Sequence, residues 1–253
     1  MAGFGPLLRK ELLEQWRTLR LPVVAVIFLL VGFSSPLLAR FTPEILKAVA
    51  GDQIPIVLPP PTAADAVDQL AKNLGQFGGL IAVLLAMGSV ATEKERGTAA
   101  LLLSKPAGRG AFLLAKLVAI GLTLAVSVAV ATAGSWFYTL VLFEALPVGG
   151  VAAAAILHWL MLMAWATITF LGSTVTRSSL AAAGLGIVAF IVVGIVGALP
   201  TVGRFVPTGL GGPARALALG RSGPDAIGPT VATIALIGLV GLVAWLGFRR
   251  QEL

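Results

Sequence analysis

Apolar residues in this chain gather into six runs: Pro22–Ala39, Leu74–Ala91, Phe112–Leu142, Val148–Ser173, Leu180–Leu199 and Pro229–Phe248. Each reaches the roughly 17 to 25 residues that an α-helix needs to cross a bilayer. Unpaired backbone groups cost several kcal/mol in hydrocarbon, so such runs become helices, which satisfy their own N–H and C=O groups. Composition agrees, with 58% hydrophobic and 11% charged residues, where soluble domains carry about 25% charged. No stretch between the runs is long enough for a separate soluble domain. We therefore expect an all-α integral membrane protein, one domain over residues 1–253. Residues 21–248 form its six-helix membrane part, between an interfacial helix at 1–20 and a tail at 249–253. The third and fourth runs are the longest, so tilt or extension into water is expected there.

Six spans put both ends of the chain on one side, and charge says which side that is. With the N-terminus inside, inner segments hold twelve of the 18 basic residues and five of the 11 acidic ones, a balance of +7, while outer segments hold six of each. The whole excess is then cytoplasmic, as the positive-inside rule requires. We expect a multi-pass plasma-membrane protein with cytoplasmic termini; in a membrane protein, +7 needs no nucleic acid to explain it. The basic residues before the first run also match a signal peptide, but about 20 residues of amphipathic sequence precede that run, and its length suits a span.

Within residues 1–20, Phe4, Leu8, Leu12, Trp16 and Leu19 share one helical face, while Arg9, Lys10, Glu14, Arg17 and Arg20 point elsewhere. That pattern predicts a helix lying in the headgroup region, separated from the first span by Pro22. Residues 41–73 read as an outer loop broken by Pro59, Pro60 and Pro61. Thr62 with Asp65 forms a capping box before a short helix at 63–74. Residues 200–228, rich in proline and glycine, read as an outer or re-entrant segment and not as a seventh span.

Several chemistries are excluded. There is no cysteine, and the one histidine is His158, so thiolate sites and Ser-His-Asp sets are ruled out. No G-x-x-x-x-G-K-[ST] phosphate loop and no His-Glu-x-x-His occurs. We expect no catalytic, cofactor or metal residues in this chain, and no enzyme activity of its own. Ion-driven transport usually needs ionisable groups inside the spans, and His158 is the one clear example. A motor outside the polypeptide explains the composition better.

The most polar inner loop runs Thr92-Glu93-Lys94-Glu95-Arg96-Gly97-Thr98, continues through Leu101, Leu102, Leu103, Ser104, Lys105 and Pro106 to Arg109, and is followed by Lys116 in the next span. Thr98 can cap a short helix with Leu101 and Leu102 on its apolar face, and Pro106 stops it. From periodicity alone a solvated, charged turn fits equally well. The combination from Glu93 to Lys116 resembles the loop after the second span of ABC-2 type permeases, the membrane subunits of ATP-binding cassette transporters. Arg9, Lys10, Glu11, Trp16 and Arg17 are similar to that family's interfacial helix, and the six-span plan matches over nearly the whole chain. Ala107-Gly108-Arg109 departs slightly from the family's usual residues after the proline.

The resemblance implies a half-transporter permease in an ATP-driven exporter of amphiphilic or hydrophobic cargo. Two cytoplasmic ABC ATPase subunits would hold the ATP and magnesium, and a second permease copy or homologue would complete the path. It assigns ATPase coupling to Glu93, Glu95, Arg96, Gly97, Thr98, Leu102, Pro106 and Arg109 as a short cytoplasmic coupling helix. A secondary carrier or channel, and a non-transporting membrane anchor or assembly factor, remain the rival readings. Ser135, Tyr138 and His158 are candidates for a polar path. Helix packing explains the hydroxyls equally well, and a neutral, hydrogen-bonded histidine explains His158.

Overall fold

The structure is a computed structural model that describes residues 3–50, 59–98 and 108–251. Among the described residues the regular elements are all helical. They are α1 (Phe4–Arg17), α2 (Arg20–Ala50), α3 (Ala63–Asn73), α4 (Gly79–Met87), α5 (Ala91–Glu95), α6 (Arg109–Leu142), α7 (Val148–Val175), α8 (Ser179–Gly197), α9 (Gly211–Ala218) and α10 (Ile227–Arg249). Six helical stretches are long and apolar enough to cross a membrane: Arg20–Val49, Ala63–Glu95, Arg109–Leu142, Val148–Val175, Ser179–Gly197 and Ile227–Arg249. They correspond to the six runs in the sequence. The fifth stops at Gly197, short of Leu199, because Pro200 disfavours helix in the residue before it.

The long α6–α7 pair is the centre of the bundle. The most apolar windows of α6 and α7 are 56% and 61% buried, whereas those of α8 and α10 are 17% buried. Around that pair, α1 and α2 lie on α6, while α4, α8, α9 and α10 lie on α7. The outward sides of α8 and α10 carry exposed Leu180, Ile195, Val231 and Leu239, the pattern of helices that face hydrocarbon. Inside, Trp165 meets Phe190 edge-on at 4.9 Å, and Phe112 stacks on Phe248 at 5.8 Å. At the α2–α6 crossing a Cβ on Gly32 would collide with the backbone carbonyl of Ala131. The two helices therefore approach closely only because that position is glycine.

Three sequence expectations are corrected. First, the break after α1 falls at Leu19, which adopts φ 59°, and not at Pro22. Pro22 sits in the first turn of α2, where its missing N–H leaves no bond unmade. Second, α2 runs to Ala50 through Pro36 and Pro43, well into the expected loop. Ser35 Oγ donates to the Val31 carbonyl at 2.6 Å and Thr42 Oγ1 to the Leu38 carbonyl at 2.5 Å. Such hydroxyl bonds accompany bends in helices, and packing against α3 and α6 holds α2 together across its prolines. Third, the helix at 63–74 is not separate: α3 continues through a π turn at Leu74–Gly78 into α4. Its start is as expected, with the Thr62 backbone N–H donating to Asp65 Oδ2 at 2.8 Å. Between α8 and α10 the chain forms 3₁₀ turns at Gly203–Phe205 and Pro207–Leu210 and then α9, with no further span.

Candidate functional site

The end of the bundle where α1 meets α5 and α6 carries a cluster of charged side chains. On α1, Glu11 and Gln15 are four residues apart and so share a face; both are buried. On α6, Lys116 and Thr123 are seven apart and also share a face, with Ile120 between them. The helices meet along these faces. Lys116 is only 4% exposed, and its Nζ lies 3.0 Å from Glu11 Oε1 and 2.7 Å from Glu93 Oε1 of α5. One turn further along, the Thr123 hydroxyl donates to Gln15 Oε1. Lys10 joins from the rim, with its Nζ 3.0 Å from Glu11, 3.2 Å from Glu14 and 3.2 Å from Glu93. Two ammonium groups thus share the same oxygens of Glu11 and Glu93.

The amphipathic pattern of α1 is real, but its polar side is what enters the protein. Trp16 and Leu19 of the expected apolar face are 62% and 60% exposed, and Phe4, Leu8 and Leu12 are half-buried. Arg9 and Arg17 point outward. Burial works to lower the Lys10 pKa, but its bond to Glu11 and the charges of Glu11, Glu93 and Glu14 outweigh it and raise the value above the ordinary lysine range. Burial likewise works to raise Glu14, but the charge and hydrogen bond of Lys10, with Lys116 and Arg20 beyond, hold it below the usual glutamate value. The carboxylates of Glu11, Glu14 and Glu93 offer oxygens within 4.8 Å of one another. One oxygen of each carboxylate already faces an ammonium group, so the cluster is built as an ion-pair network, although Glu93 Oε2 is buried without a partner among the described residues.

Helix α5 has only five residues, yet it is bonded to α1, α6, α7 and α8 and, through Gln251, to the end of α10. The backbone N–H groups of Val90 and Ala91 donate to Ser173 Oγ of α7 at 3.0 and 2.9 Å. Glu93 points to α1 and α6 as described. Lys94 Nζ donates to the Thr174 carbonyl at the end of α7 and, at 2.6 Å, to Gln251 Oε1 beyond α10. Glu95 Oε1 accepts from the Ser179 N–H at the start of α8, 3.0 Å away. Each charge sits at the helix end whose dipole favours it, the cation at exposed carbonyls and the anion at exposed N–H groups. Gly97, at φ 67°, ends the segment, and Thr98 Oγ1 returns to the Glu93 carbonyl at 3.2 Å. Across the loop, Arg109 Nη1 donates to the carbonyls of Arg249 at 2.7 Å and Gln251 at 3.1 Å. Arg96 is exposed and lines a cavity of about 430 Å³ with Arg20, Glu14 and Lys116.

Of the expected coupling residues, Glu93, Glu95 and Arg109 therefore contact other helices of this chain, and Arg96 and Gly97 stay open. Leu102 and Pro106 lie outside the described residues. Of the candidate path residues, Ser135 and His158 border one small void, while Tyr138 packs on Phe33 at 5.0 Å. Sequence reasoning did not single out Gln15, Thr123, Ser173 or Gln251, and it placed Lys116 only as part of a motif. A lysine seven residues into an otherwise apolar helix was the available signal, since such a charge needs a partner.

The family model for ABC-2 family transporter protein matches residues 6–215, from α1 into α9. The chain is 28% identical over 183 residues to the uncharacterized transmembrane protein YxlG of Bacillus subtilis (strain 168), covering 72% of this chain and 71% of that protein. With five of its six membrane helices and the charged α1–α5–α6 end inside one family match that covers most of its length, the chain belongs to the ABC-2 family of transporter proteins.

Proposed function

We propose that this chain is the membrane-spanning permease subunit of an ATP-driven transporter, an exporter of hydrophobic or amphiphilic cargo, powered by separate cytoplasmic ATPase subunits that bind ATP and magnesium. The charged end then faces the cytoplasm, with both chain ends, and two permeases and two ATPases make the working complex. One observation carries the reading. The short helix α5 is joined by side-chain bonds to α1, α6, α7 and α8 and, through Gln251, to the end of α10. A force applied to α5 and the loop after it reaches all of these helices at once. Exposed Arg96 is the surface offered to the partner, and the ion pairs behind it carry the displacement. Work is transferred only if the ATPase contacts differ between two states of the bundle.

The test is co-purification with a nucleotide-binding subunit, followed by ATP hydrolysis in reconstituted vesicles. Arg96→Glu is expected to abolish the complex. Lys116→Met is expected to keep the complex but lose permease-stimulated hydrolysis. Transport at full rate by the purified chain without nucleotide would overturn the reading in favour of a secondary carrier, and a complex that moves no cargo would favour an assembly factor.

A further inference from the structure

Beyond the Thr123–Gln15 contact, α6 and α7 enclose a groove of about 730 Å³, within the range of small-molecule sites. Its walls are alanine, valine and isoleucine side chains, with Trp136 and Trp159 among them. Both indole N–H groups are engaged elsewhere, Trp136 Nε1 with the Leu146 carbonyl at 3.1 Å and Trp159 Nε1 with the Gly121 carbonyl at 2.9 Å. No charged side chain lines the groove. Thr132 supplies its one hydroxyl, and Thr132 Oγ1 is buried without a partner among the described residues.

Thr132, Trp136, Val151 and Ala155 also wall an adjoining void of about 30 Å³, which His158 lines as well. His158 is 7% exposed, and its Nδ1 lies 2.8 Å from the Ala154 carbonyl. A carbonyl can only accept, so Nδ1 carries the proton, and the neutral ring leaves Nε2 as an acceptor. Nε2 is buried and has no partner among the described residues. No carboxylate lines the void or the groove, so nothing there offsets a charge on the ring. An apolar cleft thus ends on two unmet polar atoms. One of them demands a donor, and the other, a hydroxyl, gives or takes a bond. The void exceeds the roughly 10 to 15 Å³ that one oxygen requires.

We propose that this groove binds a long-chain alcohol. Its hydroxyl occupies the void, donating to His158 Nε2 and accepting from Thr132 Oγ1, and its hydrocarbon lies along the alanine walls of α6 and α7. Exposed Ala152 and Ile156 mark where the groove opens to the surrounding lipid. The inference concerns binding by this chain and holds whether or not an ATPase drives it.

The test uses the purified permease in lipid nanodiscs with a diazirine-bearing long-chain alcohol, compared with its methyl ether. The alcohol is expected to label peptides spanning residues 125–136 and 148–159, at least about tenfold more than the ether, which cannot donate to Nε2. Thr132→Val and His158→Phe should each reduce labelling by roughly that factor. Ala152→Phe fills the groove from an exposed position without touching the polar pair, so it should abolish labelling at an unchanged melting temperature, even if the His158 variant fails to fold. Equal labelling by alcohol and ether would overturn the proposal, as would full labelling of Ala152→Phe. So would a water bridging the two atoms at saturating alcohol, or cross-links between two copies through this groove with no alcohol bound.

Discussion

Lys116 Nζ and Glu93 Oε1 lie 2.7 Å apart, 23 residues apart in sequence and on opposite sides of the polar loop. This pair closes the loop onto the bundle, and Glu11 makes it a three-way junction by meeting the same ammonium at 3.0 Å. Removing one partner of a buried pair strands the other charge, which costs about 3 to 5 kcal/mol. Lys116→Met should therefore lower stability by about 3 kcal/mol, near the bottom of that range because Glu11 and Glu93 keep 11% and 14% of their side chains exposed. Adding Glu93→Gln should recover part of the loss. Thermal unfolding of the detergent-solubilised protein would measure both.

The rim of the junction should respond to pH at both extremes. Glu14 has a folded pKa below its ordinary value of 4.5, so its contribution is complete above that value and is lost as pH falls through the lower, folded one. Lys10 has a folded pKa above its ordinary value of 10.5, so its contribution is complete below that value and is lost as pH rises through the higher one. Docking of α1 is thus expected to be level between about pH 5 and 10 and to weaken outside that window. Lys10→Met should flatten the alkaline limb and shrink the acid limb. Trp16 fluorescence followed across pH would report it.

Much of this architecture was legible because the bilayer restricts the solutions. Six apolar runs had to become helices, and the charge excess had to collect at one end. The fate of α1 was not legible. Periodicity separates Glu11 and Gln15 from Leu8 and Leu12, but which side meets protein depends on Lys116 and Thr123, more than a hundred residues away. The extension of α2 past Pro43 was hidden for a similar reason. Proline reads as a stop, but α2 packs on α3 and α6, and neighbouring helices let a membrane helix continue through it. The hub role of α5 rests on Ser173 and Gln251, residues with no local signature at all.

The α2–α6 crossing should tolerate no side chain at Gly32. The obstacle is the Ala131 backbone, which cannot rotate away, so Gly32→Val is expected to abolish folded protein. At Gly134 the nearest atoms belong to the Phe33 side chain, which can move, so Gly134→Ala should cost roughly 1 to 3 kcal/mol, the range for overpacking. Size-exclusion profiles of the two variants would separate these outcomes.

Arg109 and Lys94 hold the end of α10 from opposite sides of the loop, Arg109 through the carbonyls of Arg249 and Gln251 and Lys94 through the Gln251 side chain. The last carbonyls of a helix have no partner within it, and cations placed there supply one. Replacing Arg109 by alanine should free two carbonyls at once and fray the final turn, while the interior of α10 stays packed on α7. Hydrogen–deuterium exchange should then show faster exchange confined to the amides from Leu246 to Gln251, with Lys94→Met giving a smaller change in the same place because only the side-chain contact is lost. Should α5 serve as the point where force enters, Lys94→Met would also uncouple α10 from it, so ATP hydrolysis in the complex would persist while cargo movement falls. Exchange that spreads along all of α10 would instead mean that the arginine holds the whole helix in place, and that its role is structural.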